Sequence, residues 1–169
     1  MSFDPSDYDI IGETHNPLDA VEAVLSTYNL DYIRMDDDEL VLSVAGQLAS
    51  YRLFLTWQDE FEALQIICQF PTCLNCQNDD NMARLLMTAN AQLWLGHFEL
   101  SDDNTMQFRY TTLLRAPIPM HGVDHMNDLF KLAVAECDRF YPAVKLICEQ
   151  KAPANDILAL AMQDTVGQG

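Results

Sequence analysis

Basic residues are scarce in this chain: nine lysines and arginines stand against 26 aspartates and glutamates in 169 residues, a formal net charge of −17. Such a surface gains nothing by displacing the counterions of a polyphosphate and is repelled by an anionic bilayer, so nucleic acid and membrane are both excluded as expected partners. Glycine is scarce too, with six residues. A phosphate-cradling loop is therefore not expected, and no GxGxxG, P-loop, GxSxG or HExxH motif occurs. No apolar run approaches the ~18 residues that a membrane span requires. The opening MSFDPSDYD is acidic where an export signal needs a positive start and an apolar core. Five cysteines, an odd number, together with no export signal, imply a cytoplasmic protein with reduced thiols.

What the chain does have is apolar patterning. Hydrophobic residues make up 49%, which argues against disorder, and the length suits one domain with a single core. Residues 1–14 are acidic and aperiodic and read as a mobile tail, leaving 15–169 as one domain. In HNPLDAVEAVLSTYNL, Asn16 caps, Pro17 fits the first helical position, and Leu18, Val21, Val24, Leu25 and Tyr28 form one stripe. DYIRM and ELVLSVA follow, joined by Asp36-Asp37-Asp38. YRLFLTW and FEALQIICQF are joined by Gln58-Asp59-Glu60. Short polar joins between β-rich runs predict hairpins. In YRLFLTW, Tyr51, Leu53, Leu55 and Trp57 share one face and Arg52, Phe54 and Thr56 the other.

DDNMARLLMTANAQLW predicts a second helix capped by Asp79 or Asp80. Met82, Leu85, Leu86, Ala89 and Leu93 form its buried stripe, and Gly96 ends it. HFEL and MQFRYTTLLR read as a further hairpin about SDDNT. A long helix is expected from about Val123 to Phe140, interrupted or kinked at Pro142 and resumed by AVKLICEQ, with a last short helix over Ala154 to Asp164. The fold class is α+β: one antiparallel sheet of five to six strands with helices packed on one face, because a parallel sheet would need helical crossovers between successive strands and most are absent.

The candidate chemistry centres on FPTCLNCQN. Cys73 and Cys76 precede the helix instead of opening it, and their neighbours Asp79 and Asp80 oppose a thiolate, so redox use is disfavoured. A zinc site needs two further ligands. Cys137 lies on a buried stripe with Cys148 eleven residues on, and His15, His97, His121 and His125 are scattered. Inert thiols are the favoured reading, with a zinc or thiol-redox role for Cys73 and Cys76 as the alternative. The acidic clusters at 36–39, 78–81 and 101–104 lack the EF-hand order and read as turns and a cap. His97 reads as a corner fixed by a backbone hydrogen bond, and Trp57 and Trp94 as core. No catalytic residue, cofactor or metal is assigned.

The sheet face opposite the core is less bland. It collects Arg52, Phe54, Thr56, His97, Glu99, Arg109 and Leu113, a mixture of cations, aromatic and aliphatic groups suited to a protein interface. Arg52, Phe54 and Arg109 are the candidate contact residues.

NPLDAVEAVL, DELVLSVAG, YRLFLTW, EALQIICQF, LWLGHFEL, ECDRFYPAV and LAMQDTVG together resemble the YbjN-domain family of bacterial sensory transduction regulators, from about Asn16 to Gly167. The resemblance implies a fold similar to type III secretion chaperones, commonly dimeric, and it transfers no catalytic residues. The functional expectation is a non-enzymatic cytoplasmic regulator or chaperone-like module. It would bind another protein or peptide through a sheet face, a sheet edge or a helical groove, and would form a homodimer.

Overall fold

The fold follows from a computed structural model that describes residues 16–27, 30–72, 74, 76, 79–114 and 120–149. Among these residues alternating runs give six strands, β1 (Tyr32–Asp36), β2 (Glu39–Ala45), β3 (Ser50–Gln58), β4 (Ala63–Gln69), β5 (His97–Leu100) and β6 (Met106–Leu113). Among the described residues the 3.6-residue stripes give three helices, α1 (Pro17–Thr27), α2 (Asp80–Asn90) and α3 (Met120–Cys148). The strands form one sheet in the order β1-β2-β3-β4-β6-β5, every neighbouring pair antiparallel. This is the expected α+β class, with six strands. The expected tail over residues 1–14 and the expected last helix over Ala154 to Asp164 lie outside the described residues.

Period-two alternation sets the two faces. Tyr51, Leu53, Leu55 and Trp57 are buried, as are Leu64, Ile66 and Cys68 on β4 and Phe98, Met106 and Phe108 on β5 and β6. Onto them pack Leu18, Val21 and Leu25 of α1, Met82, Leu85 and Ala89 of α2, and the α3 stripe Met126, Leu129, Phe130, Ala133, Cys137, Phe140, Val144 and Ile147. All three helices thus share the core of one sheet face. Edge-on ring pairs lock its centre, among them Phe98 with Phe140 at 5.2 Å and Tyr51 with Phe70 at 5.5 Å; each such pair contributes about 1 kcal/mol beyond the area it buries.

Local chemistry places the element ends. Asn16 Oδ1 accepts the Leu18 N–H at 2.9 Å, while its Nδ2 donates to the Asp37 carbonyl at 2.6 Å. One side chain therefore both caps α1 and pins the β1–β2 turn. Asp79 Oδ1 accepts from the Met82 N–H at 2.9 Å and caps α2.

Several expectations are corrected. The second helix stops at Asn90 and does not run on to Trp94. The Asn90 side chain bonds both main-chain groups of Phe98, at 2.6 and 3.0 Å, so the chain turns there toward β5. Trp94, expected in the core, is 98% exposed beyond the helix end. Gly96, expected to stop the helix, instead takes φ +69 in the turn before β5, where an added Cβ would lie 2.5 Å from the Phe108 ring. The β3–β4 join is longer than three residues, with a 3-10 turn at Asp59–Phe61 and Glu62 at φ 48 before β4 begins at Ala63. Lastly, α3 is one helix from Met120 to Cys148 that continues through Pro142, so of the two expectations there the interruption is the one corrected. Proline removes one N–H from the ladder, and the buried Phe140, Ala143, Val144 and Ile147 on both sides of it hold the helix against that loss.

Candidate functional site

The sheet face turned away from the helices is built by register. Ile33 lies opposite Val41, Val41 opposite Phe54, Phe54 opposite Ile67, Ile67 opposite Arg109, and Arg109 opposite His97. One straight row therefore crosses all six strands, apolar over the first four and cationic or titratable over the last two. A polar row flanks it on one side, Ser43, Arg52, Gln69, Gln107 and Glu99. On the other side run Glu39, Thr56, Gln65 and Thr111. Ile33 is 65% exposed, and Val41, Phe54 and Ile67 are half-buried. Leu113 stays 60% exposed at the end of β6.

The three candidate contact residues all stand on this face. The Arg52 guanidinium donates to Gln69 Oε1 at 2.8 Å and lies 5.8 Å from the Phe54 ring centre. Arg109 pairs with Glu99 at 2.6 Å, and its Nε has no acceptor among the described residues. Phe54 and Arg109 flank Ile67 in the central row; Arg52 sits one row over. The sequence reading missed Ile33, Val41 and Ile67. Their signal was the period-two alternation of DYIRM, ELVLSVA and EALQIICQF.

Glu99 organises the polar end. Gln107 Nε2 donates to Glu99 Oε1 at 2.6 Å, and His97 Nε2 lies 3.3 Å from Glu99 Oε2. Burial pushes the Glu99 carboxyl up, but the hydrogen bond from Gln107 and the charge of Arg109 outweigh it, and the net shift is below the ordinary carboxylate value. His97, expected to bond the backbone, meets a side chain instead.

The cysteines are arranged otherwise than expected. Cys73 lies outside the described residues, and Cys76 is disulfide-bonded to Cys148, 72 residues on at the end of α3. The expectation of reduced thiols is thereby corrected for this pair. A zinc or redox unit made of Cys73 and Cys76 fails as well, because the Cys76 sulfur is already engaged elsewhere. Cys68 and Cys137 are free and buried. Burial, then the neighbouring Cys68, raises the Cys137 thiol well above its ordinary value, so it stays protonated and unreactive. Among the described residues no group of three or more His, Cys, Asp or Glu side chains is placed to hold a metal ion. No described helix is long and apolar enough to cross a membrane.

The sequence matches the YbjN family, described as "Putative bacterial sensory transduction regulator", over residues 17–146. The chain belongs to the YbjN family. That span runs from the first residue of α1 almost to the end of α3 and takes in the whole sheet. Among solved structures the chain is similar to YbjN from E. coli, described there as a putative transcription regulator. The identity is 12%, the TM-score 0.46, and the likeness covers 74% of this chain and 93% of that one. No curated protein matches the chain.

Proposed function

We propose that this YbjN-family chain is a non-enzymatic cytoplasmic regulator or chaperone-like module that binds another protein through the open face of its sheet. The observation that carries this reading is the apolar row Ile33, Val41, Phe54 and Ile67, in register over four strands and covered by no described element. A row of this kind, rimmed by Arg52, Arg109 and glutamine side chains, combines an apolar centre with oriented donors, as protein interfaces do. The family's description as regulators supports it, and the chaperone-like fold that the YbjN likeness implies would extend the reading to a homodimer.

Reversing the charge of both Arg52 and Arg109 to glutamate tests the reading. Both side chains leave the core untouched, so the fold is expected to persist by circular dichroism. Capture of the partner identified by affinity purification from the native cell should fall about tenfold or more, as for loss of oriented charged donors. Undiminished capture by a folded double variant would remove these residues from the interface.

A further inference from the structure

The two edges of the sheet are treated differently by the chain. The N–H of Trp57 bonds the Asp38 carbonyl at 2.8 Å and the N–H of Gly46 bonds the Ala49 carbonyl at 2.8 Å. In an antiparallel ladder bonded pairs alternate, so even-numbered residues of β2 bond β3 and Val41 bonds Ile33 of β1. The main-chain N–H and C=O of Tyr32 and Arg34 therefore point outward from the sheet and meet no partner among the described residues. Carried across to the other edge, the same alternation turns Phe98 of β5 outward. There Asn90 accepts its N–H and donates to its carbonyl, as a neighbouring strand would. Among the described residues, one edge is closed by a side-chain amide and the other is open.

The open edge carries apolar side chains and a field of one sign. Ile33 and Met35 are 65% and 61% exposed, and Ile33 begins the apolar row of the open face. Asp31, Asp36, Asp37 and Asp38 are exposed on both ends of β1. The one cation of the strand, Arg34, is held on the helix side by Asp19 at 3.5 Å and Glu22 at 3.4 Å.

Resting on the protein-binding reading above, we propose that the β1 edge takes up an extended segment of the partner, apolar at its centre and basic at both ends, as a seventh strand. The partner's N–H and C=O groups pair with those of Tyr32 and Arg34. An apolar side chain sits opposite Ile33 and prolongs the row Ile33–Val41–Phe54–Ile67, and lysines or arginines meet Asp31 at one end and Asp36 to Asp38 at the other. Charge decides the occupant. A second copy of β1 would bring its own Asp31 and Asp36 to Asp38 against the same acids, which like-charge repulsion opposes.

The probe is a capped peptide, Lys-Lys-Val-Thr-Val-Thr-Lys-Lys, titrated by fluorescence anisotropy against the full chain. With valine opposite Ile33, the threonine N–H groups face β1 and the valine N–H groups face away. N-methylation of both threonines is expected to raise Kd about tenfold or more, by loss of two donors, while N-methylation of both valines leaves it within about threefold. Ile33→Lys, an exposed change whose main chain still pairs with β2, is expected to abolish binding with unchanged circular dichroism. The Arg52→Glu, Arg109→Glu variant is expected to retain it. Absence of binding, equal effects of the two methylation patterns, or insensitivity to Ile33→Lys would overturn the edge proposal without touching the open-face reading. Light scattering that shows a dimer lost on Ile33→Lys would assign the edge to a second copy and likewise overturn it.

Discussion

Asp138 joins α3 to the β2–β3 turn. Its carboxylate accepts the Gln47 N–H at 2.6 Å, the Leu48 N–H at 3.1 Å and the Tyr51 hydroxyl at 2.7 Å. Burial, and then that hydrogen bond, raises the Tyr51 phenol far above its ordinary value, so it remains a donor. Gly46 leaves the space for this: a Cβ there would lie 2.5 Å from the Tyr51 ring and 2.7 Å from the carboxylate. Asp138→Ala strands the part-buried tyrosine hydroxyl and leaves two exposed turn amides to water, and is expected to cost about 2–3 kcal/mol. For a chain of this size that is roughly 5–10 °C in a thermal melt; a melt within about 1 °C of the parent would deny Asp138 its structural part. None of this was legible in the sequence, where the partners stand 87 to 91 residues away. Trp94 was misread for a related reason: an aromatic at helical spacing looks buried unless the helix end is known, and that end is set by Asn90 reaching Phe98.

At the scale of elements, caps and hairpins were legible because their determinants are local. Asn16, Asp79, the aspartate turn and the SDDNT turn behave as their side-chain chemistry dictates. The continuity of α3 was not, since Pro142 argues locally for a break and only the buried contacts on both sides argue against it. The Cys76–Cys148 bond belongs here too, tying the segment before α2 to the end of α3 across 72 residues. Cysteine spacing pointed to the CxxC pair because it is adjacent in sequence; the packing of α3 along the sheet chose a distant partner. Closing a loop of that length stabilises the fold by about 4 kcal/mol on the chain-entropy account. Cys148→Ser, or reductant on the parent protein, is therefore expected to lower the melting temperature by roughly 8–16 °C. Peptide mapping without reductant should show the Cys76 peptide joined to that of Cys148. A Cys73–Cys76 link, or five titratable thiols in unreduced, denatured protein, would contradict the assignment.

For the whole molecule, the fold class and the helix-covered face could be read from periodicity, because a half-buried strand alternates and a hairpin join is short. The strand order could not. That β6 sits between β4 and β5 depends on how the segment through α2 returns to the sheet, and spacing does not encode it. The open face was legible only in part for the same reason. Arg52, Phe54 and Arg109 were placed on one side by alternation, but the row that Phe54 shares with Ile33, Val41 and Ile67 exists only once register is fixed across four strands. The central claim is that this outer face, and no buried centre, meets the partner. Methyl-detected NMR of the chain, titrated with the partner purified from its native cell, tests it most directly. The methyl signals of Ile33, Val41, Ile67 and Leu113 are predicted to shift or broaden while those of Leu53, Leu55, Leu64 and Ile66 stay in place. Shifts confined to the inner set, with the outer set unmoved, would contradict the account.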